Sequence, residues 1–411
     1  MHPRHIAALI PQDLLDTPVI GLQGPRQSGK STLVASLAKT AVSLDSTALL
    51  AQSQRDPAGF VASFAGQEQA VIDEIQRNPD LVLEIKASVD RDRRPGRFIL
   101  TGSAALLTRG LMADSLAGRM ALHTLWPFTQ MELEDNATGR NPVARLFSGD
   151  VGGAYRDLPK TDVWSRVLRG GFPEACARTE AARRDKWFAD YLTAALERDA
   201  RDLLDADRLT DLPRLLSMAA IRSGTVLNLA DLSRNMQMTQ PTLTRYMGLF
   251  ETLMLTLRLP AWHGNLSKRL TKSPKWLMAD TGLMAHLLAV DEAGLSAGEP
   301  GRMAAGRLLE TFVLTEIIRH LAWLPTRIQP FHLRTSEGEE VDMVLEAPGG
   351  KLVGVEVKAS ENPKPDDFKV LRKLAEQTGD AFACGVVFHT GTGVMSFGEK
   401  LWALPVAWLW E

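Results

Sequence analysis

Apolar positions follow two different rhythms along this chain. From about residue 17 to 130, short runs of consecutive apolar residues alternate with stretches of helical spacing. The runs predict strands at Val19–Gln23, Ala41–Leu44, Ala70–Ile72, Phe98–Thr101 and His123–Trp126, with helices after Lys30, near Pro57–Phe64 and over Leu81–Asp90. That alternation points to a parallel sheet covered on both faces. From Trp164 to Asp202 the pattern turns helical and charged, as in Ala181-Ala182-Arg183-Arg184-Asp185-Lys186-Trp187. Leu229–Met236 and Thr239–Met247 then read as two short helices joined by a tight turn, with Pro241 in the first turn of the second, followed by a strand at Leu253–Leu259. The basic stretch Lys268–Lys275 reads as a linker or hairpin. Beyond it come a helix through Leu308–Leu314, strands at Gln329–Arg334, Val341–Leu345 and Leu352–Val357, a helix over Asp366–Gln377 and a strand at Gly385–His389.

Composition narrows this little. The 411 residues suffice for two or three domains, and 45% hydrophobic with 23% charged residues is ordinary for a globular protein. A net charge of −2 neither demands nor excludes a basic face. Two distant cysteines, Cys176 and Cys384, argue against a disulfide scaffold or a zinc site and fit a reducing compartment. No apolar run approaches 18 residues, and Ile6–Ile10 is too short for a signal-peptide core, so the expectation is a cytoplasmic protein that spans no membrane.

Gly24-Pro25-Arg26-Gln27-Ser28-Gly29-Lys30-Ser31 carries the chemistry. It matches G-x-x-x-x-G-K-[ST] between a predicted strand and a predicted helix, the context a phosphate-binding loop requires. The glycines let backbone N–H groups turn around the β-phosphate, Lys30 reaches the β and γ oxygens, Ser31 offers its hydroxyl to Mg²⁺, and Thr32 opens the helix facing the phosphate. Some forty residues on, Gln69-Ala70-Val71-Ile72-Asp73-Glu74 is a strand ending in paired acids. Alone such a pair is usually a helix cap. After a phosphate loop it reads as Asp73 holding Mg²⁺ and Glu74 polarising the attacking water. At the end of the next strand, Thr101 and Ser103 are candidates to touch the γ-phosphate or its water, with helix capping by Ser103 an equal alternative. Arg119 is a candidate to stabilise phosphoryl charge in its own or an adjacent subunit, against the plainer reading of a solvated arginine.

The phosphate loop, Val42-Ser43-Leu44-Asp45, Val71-Ile72-Asp73-Glu74, Leu100-Thr101-Gly102-Ser103, Leu116-Ala117-Gly118-Arg119, Trp126-Pro127-Phe128 and Gly170-Gly171-Phe172-Pro173-Glu174 together resemble a prokaryotic AAA-type ATPase family. Its members carry a C-terminal domain of uncharacterised function with a restriction-endonuclease-like core. The likeness runs over about residues 15 to 400. It implies an α/β chain of three parts: a P-loop ATPase domain with a parallel sheet (1–160), a helical linker and winged-helix domain (161–265), and a restriction-endonuclease-like domain (266–411). ATP and Mg²⁺ are the implied cofactors, with DNA and a homo-oligomer as expected partners. Gln240, Thr242, Thr244 and Arg245 would face a DNA groove, or else the winged helix only packs domains together.

The C-terminal order of helix, three strands, helix and strand, with Asp342 and Glu356-Val357-Lys358, resembles a PD-(D/E)xK nuclease core. There Asp342 and Glu356 would bind Mg²⁺, Lys358 would orient or activate a water, and Glu310 is a further candidate acid. Glu356 and Lys358, two apart on a strand, share a face. A two-residue turn at Gly349-Gly350 would set Asp342 opposite Val357 and on the wrong face, so convergence requires an odd-length turn or a bulge. A purely structural origin would instead pair one acid with Lys358 and bury the other by hydrogen bonding. Two functions remain open: an ATPase whose turnover acts on DNA or a DNA-bound partner, and an ATP-gated switch whose C-terminal domain is a non-catalytic interaction module. Glu74 favours turnover, while no basic tail or long basic stripe compels DNA binding.

Overall fold

A computed structural model describes residues 2–37, 40–102, 115–136, 139–152, 157–199, 209–265, 269, 272–335 and 337–411. Ser103 lies outside the described residues. By its internal contacts the chain divides into two units, one of residues 3–127 with 252–254, the other of the remainder.

The first unit is built on a parallel sheet. Its strands are β1 (Val19–Gln23), β2 (Thr40–Ser43), β3 (Ala70–Asp73), β4 (Phe98–Gly102) and β5 (Met120–Thr124), in spatial order β2-β3-β4-β1-β5. Continuous burial of Val19–Leu22, Ala70–Asp73 and Phe98–Gly102 reflects helices on both faces, so these strands are apolar throughout rather than alternating. Helix α1 (Lys30–Ala35) follows β1, and α2 (Leu81–Arg91) buries Leu81, Val82, Ile85 and Val89 from one stripe against Ile72, Phe98 and Leu100. The fifth strand begins three residues before the expected His123. With β4 lying between β1 and β3, the phosphate loop after β1 and the acids after β3 flank the end of β4.

In the second unit, α3 (Leu229–Met236) and α4 (Gln240–Thr252) are joined by a short turn in which Gln237 takes a left-handed conformation (φ 53°). Strands β6 (Thr225–Val226), β7 (Thr256–Leu259) and β8 (Lys275–Met278) form an antiparallel sheet in the order β6-β8-β7. Two sequence expectations change here. Lys275 belongs to no linker: it is a strand residue with no exposure. The cut between 265 and 266 therefore falls inside this sheet, because β8 pairs with both earlier strands. The ATPase boundary near 160 also differs from the contact division, since Phe128 N–H bonds to Gly171 O at 2.8 Å and so joins the second unit.

Next comes the long helix α5 (Gly298–Leu321), then β9 (Gln329–Arg334), β10 (Glu340–Glu346), β11 (Leu352–Lys358), α6 (Lys369–Thr378), β12 (Phe382–His389), β13 (Met395–Gly398) and β14 (Leu401–Pro405). The sheet runs β13-β14-β12-β11-β10-β9, with β9–β10–β11 antiparallel and β11–β12 parallel across α6. Leu371 and Leu374 of α6 pack over Val344, Leu352, Phe382 and Val387.

A buried ionic cluster explains the Gly170-Gly171 connector. Arg319 on α5, with a side chain only 4% exposed, donates to Asp280 Oδ2 (3.1 Å), Glu316 Oε1 (3.0 Å), Phe128 O (2.9 Å) and Ala279 O (3.0 Å). Asp280 also accepts from Gly171 N–H at 2.7 Å, and Glu316 from Gln130 N–H at 2.8 Å. A Cβ on Gly171 would stand 2.3 Å from Phe128 O, so only glycine allows this approach. Burial pushes the Glu316 carboxyl from 4.5 up to about 7, against the pull of Arg319. The folded chain thus keeps a proton there that the unfolded chain releases. Stability from this proton is complete below pH 4.5 and is lost as pH rises through about 7. The melting temperature of wild type relative to Glu316→Gln should therefore fall between about pH 5 and about pH 8, measured by circular dichroism. A pH-independent difference would show that Glu316 stays ionised throughout.

Candidate nucleotide site and a C-terminal acidic centre

The loop from Gly24 to Ser31 curls because Gln27 and Gly29 take positive φ (61° and 94°), which aims the start of α1 back over the loop. Gly24 is obligatory: a Cβ there would stand 2.2 Å from Leu125 O and 3.0 Å from Ser28 Oγ. Lys30 is buried and its Nζ donates to Gly24 O and Pro25 O, both at 3.0 Å, which holds the ammonium over the loop's centre. Ser28 Oγ is buried with no hydrogen-bond partner among the described residues. An orphaned hydroxyl beside a loop-bound ammonium suits an incoming phosphate oxygen. Arg26, Gln27, Ser31 and Thr32 are exposed around it, while Pro25 is buried.

Asp73 and Glu74 leave the end of β3 as the spacing predicts. Thr101, fully buried at the end of β4, donates its hydroxyl to Asp73 Oδ1 and accepts from Glu74 N–H at 3.3 Å. It therefore positions the acidic pair, where the sequence had offered it as a phosphate contact. Glu74 itself is left-handed (φ 58°), and this turns the chain into the short helix Ile75–Arg77. The turn brings the Gln76 amide back onto the Glu74 carboxylate and against Gly102, where a Cβ would lie 2.6 Å from Gln76 Oε1.

Two neighbours escaped the sequence reading. Gln76 had a faint signal, a carboxamide two residues past the acid. Arg4 had none: it comes from the segment before β1 and donates to Ser28 O at 3.1 Å and to Trp126 O, tying the loop's backbone down.

Arg119 needs correction. It immediately precedes β5, and its carbonyl accepts from Val19 N–H at the start of β1, whereas the phosphate loop follows the other end of β1. Five residues of strand, roughly 16 Å, separate the two ends. Its guanidinium pairs instead with Asp90 at 2.7 Å, so it cannot serve the nucleotide of its own chain.

The C-terminal residues converge. Met343 pairs with Val355 and Glu346 with Leu352, and Ala347 N–H closes on Lys351 O at 2.9 Å around the three residues Pro348-Gly349-Gly350. This odd turn puts Asp342 in line with Glu356. Lys275 reaches the same place from β8: its Nζ lies 2.7 Å from Glu310 Oε1, 2.7 Å from Glu340 Oε1 and 3.3 Å from Asp342 Oδ1. Asp342 Oδ2 accepts from Val357 N–H at 2.9 Å, and Glu356 pairs with Lys358 at 2.8 Å. Burial, reinforced by the charge of Asp342, pushes the Glu310 and Glu356 carboxyls each up to about 8. Burial alone would lower the Lys275 ammonium, but the charges of Asp342, Glu310 and Glu340 outweigh it and hold the group above its ordinary range. Among the described residues, no group of three or more His, Cys, Asp or Glu side chains is arranged to hold a metal ion. Nor is any described helix long and apolar enough to cross a membrane.

Comparison with known proteins agrees with the first site. Residues 16–134 match the AAA domain, residues 160–294 a domain of unknown function (DUF8612), and residues 305–409 another (DUF4143). The chain is 31% identical over 368 residues to the uncharacterised proteins Mb2031c of Mycobacterium bovis and Rv2008c of Mycobacterium tuberculosis, covering 88% of this chain and 74% of each relative. Among solved structures, RuvB of Thermotoga maritima is 18% identical, with a TM-score of 0.28 over 65% of this chain and 91% of that one. PCH-2 of C. elegans is 17% identical, with a TM-score of 0.22 over 61% and 65%. Those two likenesses are too slight to bear on the fold. The chain belongs to the family of the two mycobacterial proteins, and its residues 16–134 match an AAA-type P-loop ATPase domain.

Proposed function

We propose that the chain is a Mg²⁺-dependent ATPase whose turnover acts on DNA or on a DNA-bound partner, with the C-terminal region serving as a clamp that does not cut. The pairing of a complete phosphate loop with Asp73-Glu74, where Thr101 binds the Asp73 carboxylate and the Glu74 backbone N–H, carries the ATPase half. Lys30 exchanges its loop carbonyls for the β and γ oxygens, and the loop amides and Ser28 complete the cradle. Ser31 and Asp73 would hold Mg²⁺, which would supply positive charge against the phosphate oxygens. Glu74, steadied by Gln76, accepts the proton of the attacking water.

The DNA half rests on α3 and α4 with a small antiparallel sheet, β6 before them and β7 and β8 after, an arrangement of the winged-helix kind. On α4, Leu243, Tyr246, Met247 and Phe250 are buried, while Gln240, Thr244 and Arg245 are exposed and Thr242 is half-buried, so one face is free for a groove. The C-terminal topology and the Asp342, Glu356 and Lys358 constellation favour a restriction-endonuclease-like core. The Lys275 ammonium amid its acids favours a binding role for that core over cleavage.

The test is ATP hydrolysis with and without duplex DNA, with a fluorescence titration at several salt concentrations and a plasmid-nicking gel. DNA should stimulate hydrolysis, binding should weaken steeply as salt rises because phosphate contacts release counterions, and the plasmid should stay intact. No binding at low salt would return α3 and α4 to a packing role and favour the protein-gated switch.

A further inference from the structure

Four acids, Glu310, Glu340, Asp342 and Glu356, gather at the mouth of the β10–β11 hairpin, and a nuclease of this topology would use such acids to hold a divalent ion. That ion does not fit here. Three of the four acids already converge on one point from α5 and β10, and the point is filled by Lys275 Nζ at 2.7, 2.7 and 3.3 Å. The lysine has no exposed surface, so it is not a side chain that happens to brush the cluster. It lies on β8, whose backbone is fixed by β6 on one side and β7 on the other, with Val226 and Leu259 both opposite Lys275 in the ladder. The ammonium is therefore carried by a backbone position fixed on both sides. The remaining acid, Glu356, is matched by Lys358, and the second oxygen of Asp342 is taken by the Val357 N–H. Every carboxylate of the cluster thus has a partner from the chain itself, which is the pattern a structural rather than a catalytic origin produces.

We propose that Lys275 is a tethered cation standing where a divalent metal would bind, so that the C-terminal centre is assembled and neutralised without metal and performs no metal-dependent phosphodiester cleavage. The same contact joins the three-stranded sheet of β6–β8 to α5 and β10, and so fixes the helix–turn–helix segment against the C-terminal sheet. This inference stands on the C-terminal geometry alone and is independent of whether the ATPase acts on DNA.

The test titrates Mn²⁺ into the full chain without nucleotide, following free Mn²⁺ by electron paramagnetic resonance. Wild type should bind no Mn²⁺ that Asp342→Asn removes. Lys275→Ala, with its acids uncovered, should gain one Mn²⁺ per chain at a site that wild type lacks, or, where the fold is weakened, a melting temperature that Mn²⁺ raises. The Lys275→Ala, Asp342→Asn double variant should lose both effects. A wild-type Mn²⁺ site abolished by Asp342→Asn overturns the proposal. So does a Lys275→Ala chain that gains neither Mn²⁺ binding nor Mn²⁺-dependent stability.

Discussion

Glu74→Gln will leave ATP bound and slow its hydrolysis by about 10²–10⁴-fold, the usual loss when a general base is removed. The amide keeps the shape of the side chain and can still meet Gln76, so the turn after β3 should persist. Asp73 and Thr101 are untouched and continue to hold the end of β3. What is lost is a carboxylate able to take the proton of water. Lys30→Ala should show the opposite division, with weaker nucleotide binding, because the ammonium meets phosphate oxygens in the bound state as well as in the transition state. Fluorescent-nucleotide affinity and phosphate release, measured on both variants, separate the two. Hydrolysis at the wild-type rate in Glu74→Gln would move the water-polarising role to another residue.

Arg319→Ala should cost about 3–5 kcal/mol of stability, the range seen when one partner of a buried ion pair is removed. The size of the effect follows from what remains. Asp280 and Glu316 are both without exposure, and each would keep backbone N–H donors but no cation. The carbonyls of Phe128 and Ala279 lose their donor as well. Urea unfolding followed by tryptophan fluorescence reads the loss as a shift in midpoint. A change below about 1 kcal/mol, the scale of an exposed pair, would mean that the cluster is solvated in solution.

Features written in contiguous residues were legible before any coordinates. β1 and β9 begin and end at the residues the sequence predicts, and the phosphate loop and Asp73-Glu74 declare themselves by spacing. Even the hairpin at Asp342 could be posed as a question of parity, because side chains alternate along a strand. The turn's answer was not in the motif. Gly349 and Gly350 both take positive φ (85° and 82°) yet stand within a three-residue turn that includes Pro348. β5 shows the same limit: Met120-Ala121-Leu122 is apolar but only partly buried at the sheet's edge, so its start was not read from the sequence.

The sequence by itself determined the chemistry of the phosphate loop and the alternation that builds its sheet, because local geometry needs particular residue types at fixed short spacings. The tertiary structure alone decided which charges meet. Lys275 sits in a basic run that reads as solvated, and it becomes a buried cation only because β8 pairs with β6 and β7 and faces acids 35 and 67 residues away. Arg119 lies 29 residues from Asp90 and is carried to the far end of the sheet by strand direction, and Arg4 reaches a loop 24 residues ahead of it. A charge has no periodicity and acts through space, so its role is settled by which elements the fold brings alongside it and by how much water they exclude.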